Sequence, residues 1–197
     1  SLDGIEIDDR LFDLLAGEPR VMPHVHLSLQ AGNDLILKRM KRRHSRAEAL
    51  GVVEWLRAIR PDMVFGADII AGFPTETDEM FEQSLSIADE AKLTFLHVFP
   101  FSPRPGTPAG RMPQTNVGKI RERAAVLRAR GDERYMNFCT TRVGLIETVL
   151  IEREGMGRTE QFVPIAVGGF GPGQIVPVRA VATSTEGLVG EPMRTAA

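Results

Sequence analysis

The sequence predicts an α/β protein. Residues 1–143 read as the last three parallel strands of an incomplete (β/α) barrel, and residues 144–197 as a small all-β domain. Three observations carry this reading. Through the first part, segments of period two alternate with segments of helical period, an order that implies right-handed crossovers and parallel strands. The stretch Asp68-Ile-Ile-Ala-Gly-Phe-Pro-Thr-Glu-Thr77 reads as a buried strand running into a tight turn and a helix. α/β barrels build ligand sites in this way, at the carboxyl end of a strand. After Val143 the helical period stops, and Gly155, Gly157, Gly168, Gly169, Gly171 and Gly173 punctuate short β segments.

The elements follow in order. Ile7, Leu11, Leu14 and Leu15 have helical spacing, with Gly17 as the stop. Val25, Leu27 and Leu29 alternate with His26 and Ser28, a strand of period two. Asn33 caps a short helix holding Leu35, Ile36, Leu37 and Met40. Ser45 and Glu48 form a capping box that opens a helix with Val52, Val53, Leu56 and Ile59, and Pro61 follows its end. Val64 to Ala71 is an apolar strand interrupted by Asp68. Thr75 is the expected cap of the next helix, whose buried face is Phe81, Leu85, Ala88 and Ala91. Leu93 to Phe101 is the third strand. Residues 102–109 are loop, because their prolines remove amide donors. A long helix runs from Thr115 to Arg142 with Val117, Ile120, Ala124, Leu127 and Gly131 along one stripe. Four strands are expected beyond it, over 145–151, 160–167, 174–181 and 187–191.

Composition bounds the function. The 197 residues are 43% hydrophobic and 25% charged, with a net charge of −2, so no global charge points to nucleic acid. No apolar run approaches the ~18 residues of a membrane span, so no membrane partner is expected. The single cysteine, Cys139, excludes an intramolecular disulfide framework and fits a reducing cytoplasm. Residues 38–43 are nearly all basic. Three strands are too few for a closed barrel and leave an unpaired edge, which predicts a fragment and association through that edge as a dimer.

Three motifs in this order resemble one family. They are His26-Leu-Ser-Leu-Gln-Ala-Gly-Asn33 with Leu37-Lys-Arg-Met40, Gly72-Phe-Pro-Thr-Glu76, and Phe99-Pro-Phe-Ser-Pro-Arg-Pro-Gly-Thr107. Together they resemble the radical S-adenosylmethionine (SAM) methylthiotransferases. The run from Asp34 to His44 is most similar to the branch that modifies N6-threonylcarbamoyladenosine at tRNA position 37. The isopentenyladenosine branch and the ribosomal-protein aspartate branch are less similar.

The resemblance implies the second half of a radical SAM barrel followed by a TRAM domain of OB-like form. In the parent enzyme it implies SAM and two 4Fe–4S clusters, one of which generates a radical that activates C2 of the adenosine. With one cysteine, this chain is expected to ligate neither cluster and to be inactive alone. Its implied partners are the missing amino-terminal domains and the tRNA anticodon stem-loop. A stand-alone RNA-binding module is the alternative of a different class.

The resemblance also implies site residues. Ser28 and Gln30 end a strand, where a hydroxyl and an amide suit the polar groups of SAM; a glutamine holding the next loop explains Gln30 equally. Asp68 in an apolar strand needs a partner, either the ligand side of the site or a neighbour such as His26 or His97. Gly72, Phe73 and Pro74 form a turn that lets backbone approach the adenosine. Glu76 is accounted for by the first turn of a helix. Phe101 and Ser102 close the third strand; Phe99 and Phe101 stack on adenine or fill core, and core is the better account of Phe99.

Lys38, Arg39, Lys41, Arg42 and Arg43 either complement a helix end or contact tRNA phosphates, and their density favours RNA. Arg121, Arg123, Arg128 and Arg130 read as solvated. His24, His26 and His97 show no metal-site spacing, so no metal is expected. The carboxy-terminal part, acidic and with the aromatics Phe162 and Phe170, is not expected to bind RNA strongly by itself.

Overall fold

The computed structural model describes residues 2–3 and 6–193. They divide into two compact units, Ser1–Val21 with Val25–Arg134, and Met22–His24 with Tyr135–Ala197. The division by compactness falls inside the long helix, between Arg134 and Tyr135, before that helix ends at Arg142.

In the first unit the order is α1 (Asp9–Gly17), β1 (His24–Gln30), α2 (Asp34–Arg39), α3 (Arg46–Ile59), β2 (Val64–Ala71), α4 (Asp78–Glu90), β3 (Phe95–Pro100), α5 (Pro108–Arg111) and α6 (Val117–Arg142). The strands form a sheet in the order β1-β2-β3. β2 and β3 are parallel with Asp68 opposite His97. Leu2 adds a single parallel bridge beside Leu27 on the outer side of β1.

Side chains alternate across each strand, and this decides which residues become core. Val25, Leu27 and Leu29 of β1 and Phe65, Ala67, Ile69 and Ala71 of β2 are buried together with Val53 and Leu56 of α3, Leu85 and Ala88 of α4 and Leu127 of α6. The intervening residues, among them His26, Ser28, Asp68 and His97, point to the opposite face and are less buried.

The helix starts are set by side-chain caps. Asp8, Asn33, Ser45 and Thr107 accept from amides three residues on, and Ser45 with Glu48 completes the capping box. The cap of α4 is Thr77, not Thr75; Thr77 accepts from the Met80 amide. Thr75 lies in the turn before it with φ +67°. Pro108, expected in loop, opens the short α5, where a missing N–H costs nothing. Phe99, expected in the core, is 51% exposed.

The second unit contains the end of α6 and five strands, β4 (Ile146–Arg153), β5 (Met156–Thr159), β6 (Pro164–Ala166), β7 (Ile175–Thr183) and β8 (Leu188–Pro192). They close into a barrel in the order β4-β5-β6-β8-β7. The β6–β8 pair is parallel and the other pairs are antiparallel. The sequence reading of four strands thus becomes five. Met156–Thr159 was hidden between glycines, and Phe162, at φ +68°, turns the chain between β5 and β6. Val149, Ile151, Ile165, Val178 and Leu188 are buried. Glu147 is also buried, and its carboxylate accepts from Arg142 Nε and Nη2 at 2.7 and 3.0 Å.

Leu56 is fully buried in the first unit's core. Leu56→Ala is expected to cost about 2–5 kcal/mol, because the cavity it leaves cannot fully collapse. Urea denaturation checks this; a midpoint unchanged from wild type would contradict the packing.

Candidate functional site at the carboxyl ends of the parallel strands

Three strand ends deliver the site. Gln30 ends β1 with φ +68° and is 8% exposed. This left-handed conformation, costly for a side chain, turns the backbone out of the sheet towards Gly32 and the Asn33 cap. β2 ends at Ala71 and turns through Gly72, whose φ is +76°. β3 ends at Pro100; the amide of Phe101 donates to Ala71 O, so the exits of β2 and β3 are bonded to each other.

The turn after β2 is held from α6. A Cβ at Gly72 would lie 2.6 Å from Ile120 Cγ1, so both the positive φ and the close helix require glycine there. Glu76 Oε2 accepts from the Gly72 amide at 3.0 Å and from Arg123 at 2.7 Å. Arg123 also donates to the Glu76 carbonyl and to Asp78, and its side chain is 3% exposed. This corrects two expectations. Glu76 precedes the Thr77 cap and is a buried clamp on the turn, not a residue of the helix's first turn. Arg123 is buried, not solvated. No spacing rule linked residues 76 and 123; the signal was an arginine within the apolar stripe of Ile120, Ala124 and Leu127.

Electrostatics follow from burial. Desolvation pushes the Glu76 carboxyl up, while Arg123 and the Gly72 amide pull against it. Asp78 is exposed and is held below its ordinary range by hydrogen bonds from Lys119 and Arg123.

The basic run is brought beside this turn. Arg39, Met40, Lys41 and Arg42 line a cleft of about 300 Å³ with Ile70, Phe73, Thr107, Pro108 and Ala109. Arg39 donates to the Thr75 hydroxyl and carbonyl. Thr75 in turn donates to the Pro74 carbonyl. Arg42 lies 3.9 Å from Asp3 and Arg43 3.5 Å from Glu6. The run is therefore not uniformly free cation, since its three arginines have protein partners. Lys38 and Lys41 are exposed, and neither has an ion pair among the described residues. Phe73 is buried and meets half-buried Phe101 edge-on, with ring centroids 5.3 Å apart. Ser102 is exposed beyond them.

Ser28 and Asp68 stand deeper on the sheet face that carries the strand ends. Asp68 has the neighbours expected for it: His26 Nε2 at 2.9 Å and His97 Nδ1 at 3.5 Å. Cys139 is fully buried in α6, and burial pushes its thiol up.

Arg123→Met is expected to cost about 3–5 kcal/mol at neutral pH, because it strands a buried carboxylate. The carboxyl, already pushed up, rises further and takes a proton in mild acid, so the deficit shrinks as pH falls. Denaturation of both proteins at the two pH values checks this; an equal deficit at both would remove Glu76 as the cause. Cys139 is expected to resist alkylation in the native protein at neutral pH and to react once unfolded. Mass spectrometry of both states reads it.

Comparison with known proteins agrees with this architecture. The sequence profile of the radical SAM superfamily matches residues 1–88. The threonylcarbamoyladenosine tRNA methylthiotransferase of Rickettsia prowazekii is 51% identical over 170 residues, 86% of this chain and 40% of that protein. The enzyme of the same description from Thermotoga maritima is 34% identical over 195 residues, 96% of this chain and 45% of the relative. The tRNA-2-methylthio-N(6)-dimethylallyladenosine synthase of Orientia tsutsugamushi is 36% identical over 196 residues, 94% of this chain and 44% of the relative. Coproporphyrinogen III oxidase from Escherichia coli, described as a radical SAM enzyme, shares the fold. Its TM-score is 0.52 at 22% identity, over 66% of this chain and 31% of that one. The chain thus spans less than half the length of the curated relatives it matches, and over that span it is similar to tRNA methylthiotransferases, with the radical SAM superfamily profile on residues 1–88.

Proposed function

We propose that this chain is part of an enzyme that adds a methylthio group to C2 of N6-threonylcarbamoyladenosine at tRNA position 37 in the cytoplasm. The observation that carries this reading is the cleft where cationic residues of the run, with Lys41 unpaired among the described residues, meet the Gly72–Phe73 turn. A site that acts on a tRNA base needs phosphate-binding charge next to a pocket for flat rings. The 51% identity to the threonylcarbamoyladenosine enzyme of Rickettsia prowazekii supports the choice of nucleoside.

The residues present fit SAM in part. Ser28, Gln30 and Asp68 offer polar groups, and Ile70, Phe73 and Phe101 offer apolar contact, on one face and its rim. When bound, SAM supplies radical-forming and methyl-donating chemistry. The Gly72 turn, held by Ile120 and Glu76, would set the rim that Pro74 and Ser102 border. An iron–sulfur cluster does not fit these residues: the chain has one cysteine, it is buried, and its thiol is pushed up. The chain by itself is inactive in this reading. The five-strand order, with one parallel closing pair, supports an OB-like TRAM reading of the second unit.

An anticodon stem-loop carrying threonylcarbamoyladenosine is expected to bind this chain with salt-dependent affinity. The double variant Lys38→Ala/Lys41→Ala should bind more weakly, with the salt slope reduced by about 1 for each lost phosphate contact. Fluorescence anisotropy across a salt series measures this. Unchanged affinity and slope in the variant would remove the basic run from the tRNA interface.

A further inference from the structure

β1, β2 and β3 each contribute one metal-ligating side chain to the middle of the sheet face opposite the helix-packed core. They are His26, Asp68 and His97, and one donor atom of each lies within 4.8 Å of the others. His26 Nε2 is 2.9 Å and His97 Nδ1 3.5 Å from the same Asp68 oxygen, and the imidazole centroids are 4.6 Å apart. Asp68 and His97 are register partners across the β2–β3 pair, so the backbone ladder itself fixes that contact.

We propose that His26, Asp68 and His97 form a binding site for a first-row divalent metal ion of the zinc or ferrous class. Metal–nitrogen and metal–oxygen bonds of about 2.0–2.2 Å place neighbouring ligand atoms about 2.8–3.6 Å apart in octahedral or tetrahedral sites. The separations of 2.9 and 3.5 Å fall at that spacing. Two imidazoles and one carboxylate form the donor set that borderline divalent ions take, and three protein ligands leave coordination positions open. His97 is 60% exposed at its side chain, so those positions face solvent and admit an oxygen donor of a ligand.

A second feature shows that the arrangement is built. Any side chain at residue 66 would put its Cβ 2.5 Å from His26 Nδ1. Gly66 therefore makes room for the imidazole ring that reaches Asp68. The site uses no thiolate, so it is independent of the iron–sulfur chemistry of the family. Sequence spacing did not reveal it, because the three ligands stand on three strands separated by helices.

The test is titration of the chelator-treated full chain with Zn²⁺ by calorimetry, and with Co²⁺ by its visible d–d absorption. One equivalent is expected, with imidazole-type Co²⁺ bands. Asp68→Asn and His97→Gln should each weaken binding at least about tenfold. His97 is exposed, so His97→Gln keeps the fold, and circular dichroism verifies this for both variants. Absence of a stoichiometric site, or the same affinity in both variants as in wild type, would overturn the proposal and leave a hydrogen-bonded His–Asp–His cluster only. Because the titration uses metal alone, failure of the tRNA reading would not alter its result.

Discussion

The approach of α6 to the turn after β2 governs the rest of the first unit. At Gly72 the helix comes so close that a Cβ would overlap Ile120. Contact at that distance leaves no water between the elements, so the polar groups of the turn need internal partners. Arg123 and Glu76 supply them: the carboxylate takes the Gly72 amide, and the guanidinium takes the carboxylate and the Glu76 carbonyl. The desolvation cost of two buried charges is offset by short bonds that define one geometry for the strand exit. The cleft beside Phe73 is bounded by that exit, so its shape depends on an ion pair that does not line it.

The same logic separates the two faces of the sheet. An all-parallel sheet ordinarily has helices over both faces. Here one face carries the apolar residues that pack with α3, α4 and α6, and the other carries histidines, Ser28 and Asp68. Polar groups on strands are stable where they pair with each other, as His26, Asp68 and His97 do across three strands. In the second unit the barrel closes on itself, and the buried carboxylate of Glu147 finds its partner in Arg142.

Much of this was legible in the sequence because it is local. The period of β1, the full span of β2, the Asn33 cap and the Ser45–Glu48 box are set by residues within a few positions of one another. Contacts across long separations were not legible. Arg123 looked like one more surface arginine, and Glu76 like a dipole partner, because their pairing spans 47 residues. The arginines of the basic run looked free because Asp3, Glu6 and Thr75 reach them only in the folded chain. β5 was missed for a local reason: Gly157 suits close packing against Val149, but with Gly155 just before it the segment reads as a break. Thr77 displaced Thr75 as cap because the backbone at Thr75 is already left-handed.

That left-handed backbone recurs at Gln30, so two of the strand exits keep a side chain where glycine would be relaxed. A glycine at either position would remove the side chain and relieve the main chain at once. Those two opposed effects make Gln30 and Thr75 places where stability and ligand affinity can move in opposite directions.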